Sequence, residues 1–241
     1  MEQVTLSLKF AFVFITLLAV YLFYRASNQS KICLVVIVLW MLIQLFFGLT
    51  NFYLKEFTKP PRFLFLILPP TLFIIGLFLT VTGRKYIDSF VINKLTLLQI
   101  IRIPVEIILY FLFVAQAIPQ IMTFEGRNFD ILAGLTAPLI YFFGLVKNKF
   151  SNYIIIWNIL GLGLLLNIVM LAILSAKTPF QQFAFEQPNI AVAYFPFNWL
   201  PSVVVPLVLF SYLASLKQLI INKTNTAHKL SAKAGHTQIP F

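Results

Sequence analysis

Arg102 and Glu106 stand one helical turn apart inside QIIRIPVEIILYFLFVAQAIPQ (99–120), a stretch that is otherwise almost wholly apolar. At about 100° per residue, Gln99, Arg102, Glu106, Tyr110, Phe113 and Ala117 fall on one stripe of a helix, with Gln120 nearby and Gln116 in the same segment. A charged side chain facing lipid near mid-membrane costs on the order of several kcal/mol, so the stripe must face protein or water. Glu106 lies about 6 Å deeper than Arg102 at a rise of about 1.5 Å per residue, so Arg102 can snorkel to the membrane edge and Glu106 cannot. A carboxyl in that position can take up and release a proton or hold a cation, with Arg102 as its partner. The plainer alternative is an internal ion pair that fixes the register of the helix.

Further polar residues are spaced along the following runs. Glu125, Arg127 and Asp130 cluster with Gly126 and Asn128 in a short turn. Asn128 or Asp130 can cap the helix that follows, while Glu125 and Arg127 can form a charged outer gate above the stripe. Asn158 and Asn167 are nine residues apart. On a regular helix that separation sets them about 180° apart, so they cannot both line one cavity. Ala133, Gly134, Ala137 and Pro138 make a small-residue patch suited to close helix packing. Asn198 lies in the last apolar run among Pro196, Pro201 and Pro206, whose missing N–H groups break backbone hydrogen bonding as at transporter binding sites. The candidate pathway set is therefore Gln99, Arg102, Glu106, Tyr110, Gln116, Asp130, Asn158 and Asn198.

Several chemistries find no residues to perform them. HExxH, GxSxG, GxGxxG and the P-loop signature are absent, and no apolar run offers a facing pair of Asp residues. Cys33 is the single cysteine, and both histidines, His228 and His236, lie in the polar C-terminal stretch. No intrachain disulfide, no cysteine-based metal site and no histidine-ligated intramembrane haem or zinc is expected, no catalytic residue is assigned, and no cofactor is expected.

The elements that must position these residues follow from composition. Of 241 residues, 60% are hydrophobic and 10% charged, and the mean hydropathy is +0.92. A soluble domain carries about 25% charged residues, so this chain cannot cover a water-facing surface. The apolar runs are continuous and do not alternate with polar residues, which excludes a transmembrane barrel. The expected class is an all-α membrane protein of about seven transmembrane helices, near 6–24, 32–50, 63–82, 100–119, 130–146, 153–174 and 195–216. The net charge of +11 sits between the runs, which fits topogenic signals and anionic headgroups rather than nucleic acid.

Loop charges set the expected orientation. Arg25, Lys31, Arg84, Lys85, Lys94, Lys147, Lys149 and the C-terminal lysines share one side, which favours an outside N-terminus and an inside C-terminus, against Lys55, Lys59 and Arg62 in the dissenting loop. The segment 86–98 carries apolar residues at helical spacing and is expected to form a short interfacial helix or a lengthened start of the fourth span. The segment 177–199, rich in Phe, Gln and Pro, reads as an aromatic belt. One membrane domain over 1–220 and a flexible basic cytoplasmic tail over 221–241 complete the organisation, with the bacterial inner membrane as the expected location.

Two short likenesses bear on function. Pro119-Gln120 resembles the Pro-Gln signature of the PQ-loop and SWEET sugar-transporter families, seven-span proteins of two three-helix repeats, although no second Pro-Gln occurs in the other half. Pro104-Val105-Glu106 is similar to part of the Pro-x-Glu-acid motif of membrane lycopene cyclases, with Ile107 in place of the second acid. Neither likeness assigns a family. The expected function is transport of a small solute or ion, with proton coupling through Glu106. The alternatives are a non-catalytic membrane partner or lipid-binding assembly protein, and a lipid- or isoprenoid-modifying enzyme with Glu106 as acid. Expected partners are membrane lipids, a small solute or proton, and another membrane protein; nucleic acid is not among them.

Overall fold

Local capping signals divide the apolar sequence into helices. The computed structural model describes residues 3–54, 62–146 and 151–236, with no side-chain description for Ser151 or beyond Ile221. Thr5 caps α1 (Leu6–Ala26) by accepting from the Leu8 N–H, and Ser30 caps α2 (Lys31–Leu49) by accepting from the Cys33 N–H. Asn28 and Gln29, both at positive φ, turn the chain between them. α3 (Leu64–Leu79) contains Pro69 and Pro70 and stops at Thr80, whose extended backbone starts α4 (Val81–Asp88) at a bend of 96°. α5 (Ile92–Leu98) runs through a 3₁₀ turn, Gln99–Ile101, into α6 (Arg102–Val114). α7 (Ile131–Leu139) loosens after Pro138 into a π-helical segment, Ile140–Val146. α8 is Ser151–Leu174, and a second π-helical segment, Leu200–Val204, leads into α9 (Val205–His236).

Among the described residues the architecture is all-helical, with one isolated β-bridge between Ala176 and Asn189. Among the described residues, five helices are long and apolar enough to cross a membrane: Leu6–Ala26, Lys31–Leu49, Ile92–Val114, Asn152–Leu174 and Leu200–Ile221. A sixth is added if the bent pair α3 and α4 counts as one span, and Ile131–Val146 is apolar but shorter. Their outward faces stay apolar: Phe14 is 69% exposed, Leu49 64% and Leu160 63%. Faces of this kind are compatible with a membrane protein, because in water such continuous apolar surface marks an interaction site.

Two expectations are corrected by the backbone. The segment 86–98 is not one interfacial helix: Ser89 and Phe90 break it, leaving α4 on one side and the start of the fourth span on the other. The fourth span begins earlier than position 100 and ends at Val114, because Gln116 adopts a φ of 57° and turns the chain out of the helix. Ala117 and Gln120 therefore leave the line of the stripe, and Gln116 lies beyond the end of α6. The stretch after 221 carries the helix backbone on to His236; its three Ala and three Lys favour helix. The orientation charges Lys55, Lys59, Lys147 and Lys149 lie outside the described residues.

The bundle is tied at both ends. At one end the Val91 N–H donates to the Ala26 carbonyl, Lys217 Nζ pairs with Asp88, and Gln218 donates to the carbonyls of Ile87 and Phe90. At the other, the segment after α8 folds over the helix ends: Gln187 Nε2 donates to the carbonyls of Phe113 and Ile118, and the Ala191 N–H to that of Ala117. Its Phe180, Phe183 and Phe185 are exposed while Trp199 is buried, so the aromatic residues divide between surface and core.

Candidate functional site

α6 carries two ionisable side chains into the interior, and α7, α8 and α9 meet them. Arg102 is 3% exposed and Glu106 2%. Close approach is possible because Gly134 of α7 lies against Ile103: a Cβ there would stand 2.8 Å from Ile103 Cγ1 and 3.4 Å from Arg102 Cβ. The guanidinium forms an ion pair with Asp130, its Nε donating to Asp130 Oδ2 at 3.1 Å. Its Nη1 donates to the Tyr212 hydroxyl at 2.7 Å and to the Gly161 carbonyl at 3.4 Å. One cation thus joins α6, the start of α7, α8 and α9.

Glu106 is held separately. Asn128 Nδ2 donates to Glu106 Oε1 at 2.6 Å and to the Met122 carbonyl at 3.0 Å, while Asn128 Oδ1 accepts from the Asp130 N–H at 3.1 Å. Glu106 Oε2 and Asp130 Oδ1 are buried without a hydrogen-bond partner in the protein. The expectation that Arg102 is the direct partner of Glu106 is therefore replaced. Asp130 takes the guanidinium instead: its Oδ2 lies against both Nε and Nη2, while its Oδ1 stays unpartnered. That engagement also explains why Asp130, although it stands at the N-cap of α7, does not cap it with its side chain.

Arg102, Glu106 and Asp130 line one cavity of about 60 Å³, whose other walls are apolar side chains of α3, α6, α8 and α9. Phe63 and Val192 form part of that wall and also line a larger cavity of about 340 Å³, with Arg62, Lys177, Thr178, Asn189 and Tyr194 around it. The two spaces thus adjoin at Phe63 and Val192.

The remaining candidates from the sequence lie elsewhere. Gln99 is buried, with its Oε1 unpartnered. Tyr110 is half-buried and stacks on Phe124 at 5.2 Å. Gln116 is exposed, as are Glu125 and Arg127, the proposed outer gate. Asn158 is buried and donates to the Ile154 carbonyl of its own helix, whereas the exposed Asn167 donates to the Arg127 carbonyl and fastens α8 to the turn. Asn198 belongs to a second buried polar group: its Nδ2 donates to the Gln44 carbonyl at 2.7 Å, and the Tyr53 hydroxyl donates to Gln44 Oε1 at 2.6 Å. Sequence reasoning missed Asn128 and Tyr212 as members of the site. The signal for Tyr212 was its place between Ser211 and Ser215 in an apolar run; Asn128 was legible only as a turn residue.

Gly161 tests how tightly this network is built. A Cβ on Gly161 would overlap the Tyr212 hydroxyl and ring. Gly161→Ala is therefore expected to push Tyr212 away from Arg102 and to cost about 1–3 kcal/mol through overpacking. Thermal unfolding in lipid nanodiscs checks this. Gly163→Ala, with nothing within 4 Å of its added Cβ, is the control expected to keep stability or raise it by up to about 1 kcal/mol, the usual gain on replacing a glycine inside a helix.

Fold and site together define a helical bundle with an apolar exterior and a buried network of one cation and two carboxylates. The chain belongs to the family described as domain of unknown function DUF8737, which matches residues 59–220, more than half of its length. That range takes in every residue of the network. No curated protein and no solved structure matches the chain.

Proposed function

We propose that the protein is a seven-span bacterial inner-membrane transporter, N-terminus out and C-terminus in, that moves a small polar or anionic solute with proton coupling at Glu106. The observation that carries this reading is the unequal charge of the buried network. Arg102 supplies one positive charge, and Glu106 and Asp130 together supply up to two negative ones. Asp130 is neutralised by its contact with Arg102, which leaves Glu106 to be balanced by a proton or a small cation, since an unpaired buried charge is strongly unfavourable. The unpartnered Oε2 at the cavity wall is where that proton would reside.

The adjoining space supports a route. Its basic residues, Arg62 and Lys177, suit an anionic or polar solute entering from that end, and Phe63 with Val192 would act as the constriction before Glu106. In the proposed orientation this vestibule opens outside. Reconstitution into proteoliposomes with an imposed pH gradient tests the reading: accumulation of a labelled carboxylate or other small polar solute should follow the gradient and collapse with a protonophore. Gradient-independent behaviour of every solute in such a panel would reject it.

The small size of the inner cavity favours one second reading, a non-catalytic membrane partner made rigid by the network. It predicts stable co-purification with another membrane protein and no solute flux.

A further inference from the structure

The exterior carries a second concave feature, remote in chemistry from the ionic network. A groove of about 480 Å³ runs between α2 and α3 and is floored by α9, the range in which drug-sized and lipid-like ligands are held. Its rims are open to the surroundings: Ile32 is 78% exposed and Phe73 58%. Its walls are almost entirely hydrocarbon and aromatic. The polar atoms of Ser202 in its floor are already engaged, the hydroxyl donating to the Asn198 carbonyl and the carbonyl accepting from Trp40 Nε1 at 2.8 Å. An occupant therefore finds no directional polar partner at Ser202, which selects a flexible aliphatic chain rather than a polar solute.

The groove has a reason to exist in the sequence. Pro69 and Pro70 stand in its α3 wall and Pro206 in its floor. Proline rings remove helix hydrogen bonds and disfavour a straight axis, which works against close packing along α3 and the start of α9.

One end of the groove is charged. It finishes at Ile32, Cys33 and Tyr86, and the residues next to these in the chain are Lys31, at the first position of α2, and Lys85 with Arg84 on α4. All three basic residues are exposed. The acidic residue nearby in the chain, Asp88, is paired with Lys217. An apolar slot that ends at a basic cluster matches a single chemistry: a fatty acyl chain with an anionic phosphate at its head.

We propose that this groove is a binding site for an anionic glycerophospholipid of the bilayer, with one acyl chain between α2 and α3 and the phosphate at Lys31 and Lys85. The site is independent of the transport reading. The bound chain fills the gap between α2 and α3 and ties the protein to anionic membrane.

The full-length protein, reconstituted in vesicles of equal phosphatidylglycerol and phosphatidylcholine and then extracted into mild detergent, provides the test by native mass spectrometry of retained lipid. The wild type should retain phosphatidylglycerol in preference to phosphatidylcholine. Lys31→Gln with Lys85→Gln should lower that preference about thirtyfold, the effect of removing two basic groups near a phosphate. Val36→Trp, at a half-exposed position on the groove wall, should displace retained lipid of both kinds while leaving the thermal unfolding curve in place. Equal retention of the two lipids by the wild type would overturn the proposal. So would a preference unchanged in the double variant, retention unchanged in Val36→Trp, or a co-purifying protein helix cross-linked to Cys33 in the groove.

Discussion

Replacing Arg102 with methionine should destabilise the protein by about 3–5 kcal/mol, the range for breaking a buried ion pair by removing one partner. The loss does not come mainly from the attraction between the two groups. Arg102 satisfies Asp130, the Tyr212 hydroxyl and the Gly161 carbonyl together, so its removal strands a carboxylate and two further polar groups in a region without solvent. The melting temperature in nanodiscs should fall by on the order of 10 °C. Arg102→Met combined with Asp130→Leu should regain most of that loss, because an apolar pair of similar volume is about as stable as the ion pair. If the single and double variants melted together, Asp130 would not be the partner that matters.

Glu106→Gln should do the opposite to stability and more to function. Glutamine keeps an acceptor at the position of Oε1, so the Asn128 contact at 2.6 Å can persist, and the change removes the charge that the network does not balance. The variant should unfold at or above the wild-type temperature. Proton-driven accumulation should fall to the level of protein-free vesicles, while exchange of solute down its own gradient continues. Asp130→Asn gives the contrast: it should lose stability by leaving Arg102 unpaired, and any loss of transport would accompany loss of fold. The pair of variants separates a proton-binding carboxylate from a structural one, although both side chains line the same cavity.

How far the chain could be read in advance depended on the range of the interaction. The helices were legible because a hydrocarbon environment demands long apolar runs, and five of the seven expected runs coincide with helices long enough to cross. Arg102 and Glu106 were legible as interior residues, since a charge in such a run has nowhere else to go. Their partners were not. Asp130 is 28 residues from Arg102 and Tyr212 is 110, and no periodicity within one helix encodes which of two carboxylates a guanidinium will choose. The i,i+4 spacing pointed to Glu106; the packing of Gly134 against α6 brought Asp130 to the better position. The end of α6 was missed for a local reason, the left-handed backbone of Gln116, which a glutamine does not announce as a glycine would. The bend at Thr80 was similarly silent, since threonine serves equally as a helix residue and as a cap.

Difference infrared spectroscopy of the protein in lipid reads proton exchange at Glu106 without knowledge of the solute. Spectra of wild type and Glu106→Gln would be recorded across a stepwise change of pH, following the carboxyl and carboxylate bands. A carboxyl signal is expected in the wild type that is missing from Glu106→Gln and that shifts when Asn128, its hydrogen-bond donor, is changed to alanine. Identical spectra for wild type and Glu106→Gln would mean that the residue holds one protonation state throughout, and the network would then be a structural lock alone.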